Sequence, residues 1–175
     1  MQKFILVGGL TCCVLLAGCA GGTGARSLAH AEAVLAPTKG NQVAGTVTFT
    51  QSADKVRVVA EVSGLTPGPH GFHIHEKGDC SAPDAMSAGG HFNPSGKAHG
   101  NPDHGEHHAG DMPQLVADAK GVAKLTAYLD EVTIKDGPAG IVGRSVIVHV
   151  SPDDFKTQPT GNSGARQACG VIVRK

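Results

Sequence analysis

The sequence predicts an all-β domain, either an antiparallel sandwich or a closed barrel, on three observations. Apolar and polar residues alternate with a period of two, as in residues 43–49, 56–62 and 122–129. Such alternation is typical of strands that bury one face. Turn residues separate these segments, and no segment makes a convincing helix. Further strands are predicted at residues 72–75, 115–117, 146–150 and 169–173.

The first 18 residues have the features of a signal peptide. Lys3 precedes an apolar run over residues 4–16, which is too short to span a bilayer comfortably. The run ends in Leu-Leu-Ala-Gly-Cys19, which resembles the lipobox of bacterial lipoproteins. That resemblance implies a lipidated Cys19, and Ala20 after it favours the outer membrane over the inner one. We therefore expect a periplasmic, lipid-anchored protein. The alternative is an ordinary signal peptide with an incidental cysteine.

Composition limits what the remaining chain does. Residues 19–30, rich in Gly and Ala, are expected to form a flexible tether, and residues 31–175 are the size of one domain. Equal numbers of basic and acidic side chains, 15 each, argue against nucleic acid as a partner. Only Cys80 and Cys169 remain in the domain, and two cysteines in an exported protein indicate one disulfide. The sequence does not decide between a monomer and a homodimer.

Two polar segments interrupt the strand pattern. Residues 77–111 contain no Val, Ile or Leu, yet hold seven Gly and five of the ten His. Residues 151–165 are similarly polar. A long loop with so few aliphatic residues is either disordered or functional. Since burial cannot order the first segment, we expect metal and a disulfide to do so.

Seven side chains stand out as candidate metal ligands. His73 and His75 lie two residues apart on a predicted strand, so both project from one face while Phe72 and Ile74 enter the core. His149 is expected to point outward from another strand, with Val148 and Val150 as inward neighbours. The other four follow in the first polar segment: His91, His99, His108 and Asp111. Imidazole and carboxylate ligands suit zinc, and several imidazoles together suit copper.

Several motifs resemble the signatures of the Cu/Zn superoxide dismutases, in order and in spacing. They are residues 71–76 (GFHIHE), 89–94 (GGHFNP), 108–111 (HAGD), 161–166 (GNSGAR) and 168–172 (ACGVI). The resemblance covers the chain from about Ala31 onward. It implies an eight-stranded antiparallel Greek-key β-barrel, an immunoglobulin-like sandwich with two long functional loops.

The resemblance also implies a ligand set for each metal. Copper would be held by His73, His75, His91 and His149. Zinc would be held by His91, His99, His108 and Asp111, so that His91 bridges the two ions. Copper would cycle between redox states while zinc structures the site. The reaction would convert superoxide to dioxygen and hydrogen peroxide. His91 would carry a proton between the two half-reactions.

Further roles follow from the resemblance. Arg166 would dock the anion, and Thr160 would narrow the channel. Asp153 would form hydrogen bonds with His73 and His99. Cys80 and Cys169 would form the bridge that ties the long loop to the last strand.

The sequence departs from the family pattern in its second loop. Residues 151–165 contain Asp153, Asp154 and Lys156 but no Glu, so steering of the anion is left to Arg166 and to lysines elsewhere, such as Lys77 or Lys97. Gln167 stands where an aliphatic residue is usual.

Three alternatives remain. His104 and His107 are interpreted as solvated, with an extra metal site as the alternative. One rival function is a lipoprotein that buffers copper or zinc without turnover, which would need neither Arg166 nor Asp153. Another is a copper-only relative, which the complete zinc-type ligand set disfavours.

Overall fold

The computed structural model describes residues 1–3 and 29–175. Most of the predicted signal peptide, Cys19 and most of the predicted tether therefore lie outside the described residues. Within the described part, no helix is long and apolar enough to cross a membrane. The first strand begins at His30, one residue before the predicted start of the domain.

The described residues form nine β-strands and one short 3-10 helix, Met86–Ala88, which confirms the all-β prediction. The strands are His30–Pro37 (β1), Ala44–Ser52 (β2), Lys55–Ser63 (β3), Gly68–His70 (β4), Phe72–His75 (β5), Leu115–Ala117 (β6), Ala123–Leu129 (β7), Ser145–His149 (β8) and Arg166–Arg174 (β9). Only Gly71 separates β4 from β5. The expected count of eight is obtained when these two are taken as one bent strand.

Seven strands form one curled antiparallel sheet in the order β5-β8-β9-β1-β2-β3-β7, and β4 pairs with β6 in a second small sheet. Since β4 runs directly into β5, the small sheet continues the large one at the β5 edge. At its other side β6 lies next to β7, the opposite edge of the large sheet. This arrangement is consistent with the Greek-key barrel sandwich that was predicted.

The core lies inside the curled sheet. On β3, and on β2 from Val47 onward, every second residue is buried, for example Val47, Phe49, Val56 and Val58. A fully buried aliphatic or aromatic side chain of this kind contributes on the order of 1.5–3 kcal/mol. The strands are therefore ordered by the alternation seen in the sequence.

The long loop between β5 and β6 is partly ordered by burial, contrary to expectation. Ala85 and Ala88 are fully buried and pack with Ile147 and Cys169 in a small second cluster. Phe92 and Ala109 join the main core. The prediction considered Val, Ile and Leu alone, and it overlooked that alanine and phenylalanine also bury apolar surface.

The same loop is tied to β9 by the predicted disulfide. Cys80 and Cys169 are bonded, with their Cα atoms 5.8 Å apart and a separation of 89 positions in the sequence. In the chain-entropy model a closed loop of this length stabilises the fold by about 4–5 kcal/mol. The bond holds the loop against the strand that begins with Arg166.

Candidate metal centre

Strand β5 places two histidines side by side under the long loop. Phe72 and Ile74 enter the core as predicted. His73 and His75 point to the opposite face, yet both are fully buried. The loop covers them, since Asp111 pairs with His73 and His91 pairs with His75 in isolated β-bridges.

His149 ends β8, where the sheet is irregular. The pairing register between β8 and β9 shifts between Val148 and His149, as at a β-bulge. Val148 is buried, but Val150 is 40% exposed, so the expectation that it points inward was wrong. The irregularity breaks the simple alternation that the prediction assumed.

The seven predicted ligands come together in two groups, and all seven are buried. The first group is His73, His75, His91 and His149, and the second is His91, His99, His108 and Asp111. In each group the candidate ligand atoms lie within 4.8 Å of one another. His91 belongs to both groups, and its ring stacks on that of His73 with the centroids 3.9 Å apart.

In the first group, each imidazole uses one nitrogen to hold its orientation. Nδ1 of His75 lies 2.9 Å from the Gly89 carbonyl oxygen, and Nδ1 of His149 lies 3.1 Å from that of Gly164. The other nitrogen is buried and has no hydrogen-bond partner among the described residues: Nδ1 of His73 and Nε2 of His75, His91 and His149. A buried, unpartnered polar atom costs roughly 1–3 kcal/mol. A bound metal ion would satisfy all four at once.

The second group also contains buried ring nitrogens without well-aligned hydrogen bonds in the described part of the chain, here arranged around the carboxylate of Asp111. Asp111 Oδ1 lies 2.8 Å from Nδ1 of His91, and Asp111 Oδ2 lies 3.0 Å from Nδ1 of His99. Nδ1 of His99 and of His108 are buried without a well-aligned hydrogen bond to any described residue. Three imidazoles and one carboxylate match the ligand types and number of a closed zinc site.

The sequence profile of the copper/zinc superoxide dismutases matches residues 43–172. This chain belongs to that family. It is also similar to a solved structure described as the clock protein EA4, with 42% identity and a TM-score of 0.75. That match covers 82% of this chain and 93% of the other. The chain is thus an oxidoreductase of the superoxide dismutase family, which binds copper and zinc.

Asp153 links the two groups of this superoxide dismutase. Its Oδ2 lies 2.6 Å from Nε2 of His73, and its Oδ1 lies 2.9 Å from Nε2 of His99. Burial alone would raise the pKa of this carboxyl, but hydrogen bonds with His73 and His99 outweigh burial and lower it. A buried carboxylate in this position fixes both rings and favours one tautomer of each.

Burial sets the protonation of the histidines. It lowers the pKa of His75 and of His149 well below the usual value, and it lowers that of His91 to about 4. His99 differs. Burial alone would lower its pKa, but the carboxylates of Asp111 and Asp153 outweigh burial and raise it to about 9.

Arg166 lies at the start of β9 and is held by the long loop. Its two terminal nitrogens donate hydrogen bonds of 2.6 Å to the carbonyl oxygens of Ala85 and Gly89. The Gly89 oxygen also lies against His75 Nδ1, so the arginine and a candidate copper ligand share one acceptor. Arg166, Thr160 and His149 line one groove of about 690 Å³.

Sequence reasoning missed Gln158 and His70. Gln158, in the second loop, forms two hydrogen bonds with the backbone of His99. His70 is buried, with Nδ1 lying 2.8 Å from the carbonyl oxygen of His149. Neither has a sequence signal of its own, because both partners are distant along the chain.

Residues His104 and His107 belong to neither of the two groups in the described part of the chain. His104 is exposed, as expected, while His107 is half-buried with Nδ1 2.8 Å from the His108 carbonyl oxygen. Of the lysines considered for steering, Lys97 pairs with Glu131.

Proposed function

We propose that this superoxide dismutase works through one copper ion and one zinc ion per chain. His73, His75, His91 and His149 would hold copper, and His91, His99, His108 and Asp111 would hold zinc. Arg166 docks superoxide beside the copper ligands. The overall reaction takes two superoxide anions and two protons to one dioxygen and one hydrogen peroxide.

One observation carries this proposal. Among the described residues, His91 alone is common to the two groups, and its Nε2 has no hydrogen-bond partner there, while its Nδ1 faces Asp111. Seven ligands can fill two four-ligand sites only if one is shared. The two nitrogens of a single imidazole are suited to that role.

The division of labour follows from the ligand chemistry. Copper, when bound by imidazoles, supplies one-electron redox chemistry, whereas zinc has none and fixes the geometry of its ligands. In the metal-free protein, burial lowers the pKa of His91 to about 4, so its ring carries no extra proton at neutral pH. With both metals bound, His91 Nε2 would take up one of the two protons that the reaction consumes and would pass it to the second superoxide.

Arg166 supplies the fixed positive charge. A guanidinium stays ionised at any physiological pH and offers forked donors, which suits a small anion. Its hydrogen bonds to Ala85 and Gly89 hold the fork at the groove beside His149. Thr160 lines the same groove and narrows the approach.

The decisive experiment combines metal analysis with a superoxide-consumption assay on the purified full chain. One copper and one zinc per chain together with rapid turnover would support the proposal. A protein that binds both metals but consumes no superoxide would be a metal buffer. Turnover with copper but without any zinc binding would indicate a copper-only enzyme.

We further propose that the enzyme is a periplasmic lipoprotein anchored to the outer membrane through Cys19. The lipobox-like residues 15–19 support this proposal. Several acyl chains, at about 0.8 kcal/mol per buried methylene, make such anchoring stable. Cys19→Ala should release active enzyme into the soluble fraction. Unchanged membrane association in that variant would refute the anchor.

A further inference from the structure

The groove that leads to Arg166 has a second basic residue on its rim. Its walls come from the turn between β1 and β2, from the disulfide-bonded loop, and from the second loop. Among the described residues that line it, those with charged side chains at neutral pH are Lys39, Asp84 and Arg166. Lys39 is the one lysine in that lining, and it is exposed.

Hydrogen bonds fix the backbone of Lys39 at this rim. Its N–H donates to the Pro83 carbonyl oxygen at 2.8 Å. The preceding Thr38 donates from its N–H to Gln167 O at 3.0 Å and from its hydroxyl to Arg166 O at 2.7 Å. The turn is therefore joined to the two residues that begin β9, and these bonds fix the backbone of Lys39 relative to that of Arg166.

Lys39 is also free to act on an incoming ion. No carboxylate within the described residues lies within 4.0 Å of its ammonium group, whereas the ammonium of Lys97 is held by Glu131. Neither Lys77 nor Lys156 is among the described residues that line the groove. Asp84 contributes the opposing charge, and its Oδ1 accepts a hydrogen bond of 3.0 Å from the backbone N–H of Met86.

We infer that Lys39 steers superoxide into the groove toward Arg166, and that Asp84 opposes it. The net charge of the chain is zero, so there is no global field to attract an anion, and local charges decide the approach. This inference rests on the proposed docking at Arg166. Among the described residues, no hydrogen bond joins the Lys39 side chain to a candidate ligand, so Lys39 would act through its charge.

The test compares charge variants across ionic strength. Lys39→Glu should lower kcat/KM for superoxide about two- to fourfold at low salt, and Lys39→Arg should leave it unchanged. Asp84→Asn should raise it. Because exposed charges are screened beyond roughly 10 Å at 0.1 M salt, the differences should shrink as salt increases. Lys120→Glu, in a turn outside the groove, is the control of matched charge change.

A second readout is independent of turnover. Azide titrated into the copper band of the loaded protein should bind more weakly to Lys39→Glu than to Lys120→Glu, by a similar factor. Equal azide affinities and equal salt dependence in these two variants would overturn the inference. Failure of the proposed function would look different: wild-type protein would show no turnover, whereas the azide comparison would still report the effect of Lys39.

Discussion

The side-chain amide of Gln158 is hydrogen-bonded to both sides of the His99 backbone. Its Oε1 accepts a hydrogen bond from His99 N–H at 2.8 Å, and its Nε2 donates one to His99 O at 2.8 Å. Gln158 belongs to the second loop, and His99 belongs to the first. The second loop thereby positions a candidate zinc ligand that lies 59 residues earlier in the sequence.

Gln158→Ala should weaken zinc binding. Two hydrogen bonds of this kind contribute roughly 1–3 kcal/mol, and loss of such supporting contacts commonly reduces metal affinity about tenfold or more. Gln158→Glu keeps the acceptor but loses the donor, so its zinc affinity should be intermediate. Competition with a chelator of known affinity measures the change. Zinc affinity equal to wild type in Gln158→Ala would show that the contact does not position His99.

His91→Ala should weaken both metal sites, because His91 is the residue common to the two groups. His75→Ala should affect copper alone, and His108→Ala should affect zinc alone. Metal content by mass spectrometry and the copper absorption band provide the measurements. The shared-ligand assignment is wrong if His91→Ala retains both metals and an unchanged copper band.

Arg166→Ala should impair turnover far more than copper binding, since Arg166 is not among the candidate ligands. We expect turnover to fall by at least about tenfold, which corresponds to roughly 1.4 kcal/mol in transition-state free energy. Arg166→Lys should recover part of the loss, because it keeps the charge but not the fork that donates to both Ala85 and Gly89. Full copper loading with wild-type turnover in Arg166→Ala would mean that the anion docks elsewhere.

Zinc binding to the metal-free protein should release a proton near neutral pH. The pKa of His99 is raised to about 9, so below that pH the ring carries an extra proton that zinc must displace. His91, with a pKa of about 4, carries no such extra proton. We expect about one proton per zinc at pH 7.5 and fewer as the pH rises through about 9. Calorimetry in buffers of different ionisation enthalpy counts these protons, and a count that does not decrease toward pH 10 would contradict the assignment.

The sequence predicted those parts of the structure that depend on local periodicity. Alternation placed His73 and His75 on one face of β5, with Phe72 and Ile74 in the core. It failed at Val150, where the irregular pairing of β8 with β9 changes which side chains point inward. The family resemblance, rather than periodicity, paired Asp153 with His73 and His99.

Contacts between distant segments could not be predicted from the sequence where neither a cysteine pair nor a family motif marked them. Gln158 acts on His99, and Lys39 reaches the groove, only because the loops fold over the barrel. Burial of Ala85 and Ala88 was missed for a related reason: a small apolar residue in a polar segment is buried only when a neighbour such as Ile147 covers it. These features depend on three-dimensional packing and leave no period or motif in the chain.

In four of the imidazoles of the site, the nitrogen that does not face a metal site is held by a hydrogen-bond partner, and these partners differ in kind. The kind of partner determines whether a substitution can remove the hydrogen bond. His75 and His149 are held by the backbone carbonyl oxygens of Gly89 and Gly164. Every amino acid has such an oxygen. His73 and His99 are hydrogen-bonded to the side chain of Asp153, which a single substitution can remove. A substitution of Asp153 can therefore change the geometry of the copper site and of the zinc site at the same time. The hydrogen bonds that orient His75 and His149 cannot be removed by substituting the residue that accepts them, because a backbone oxygen remains after any substitution.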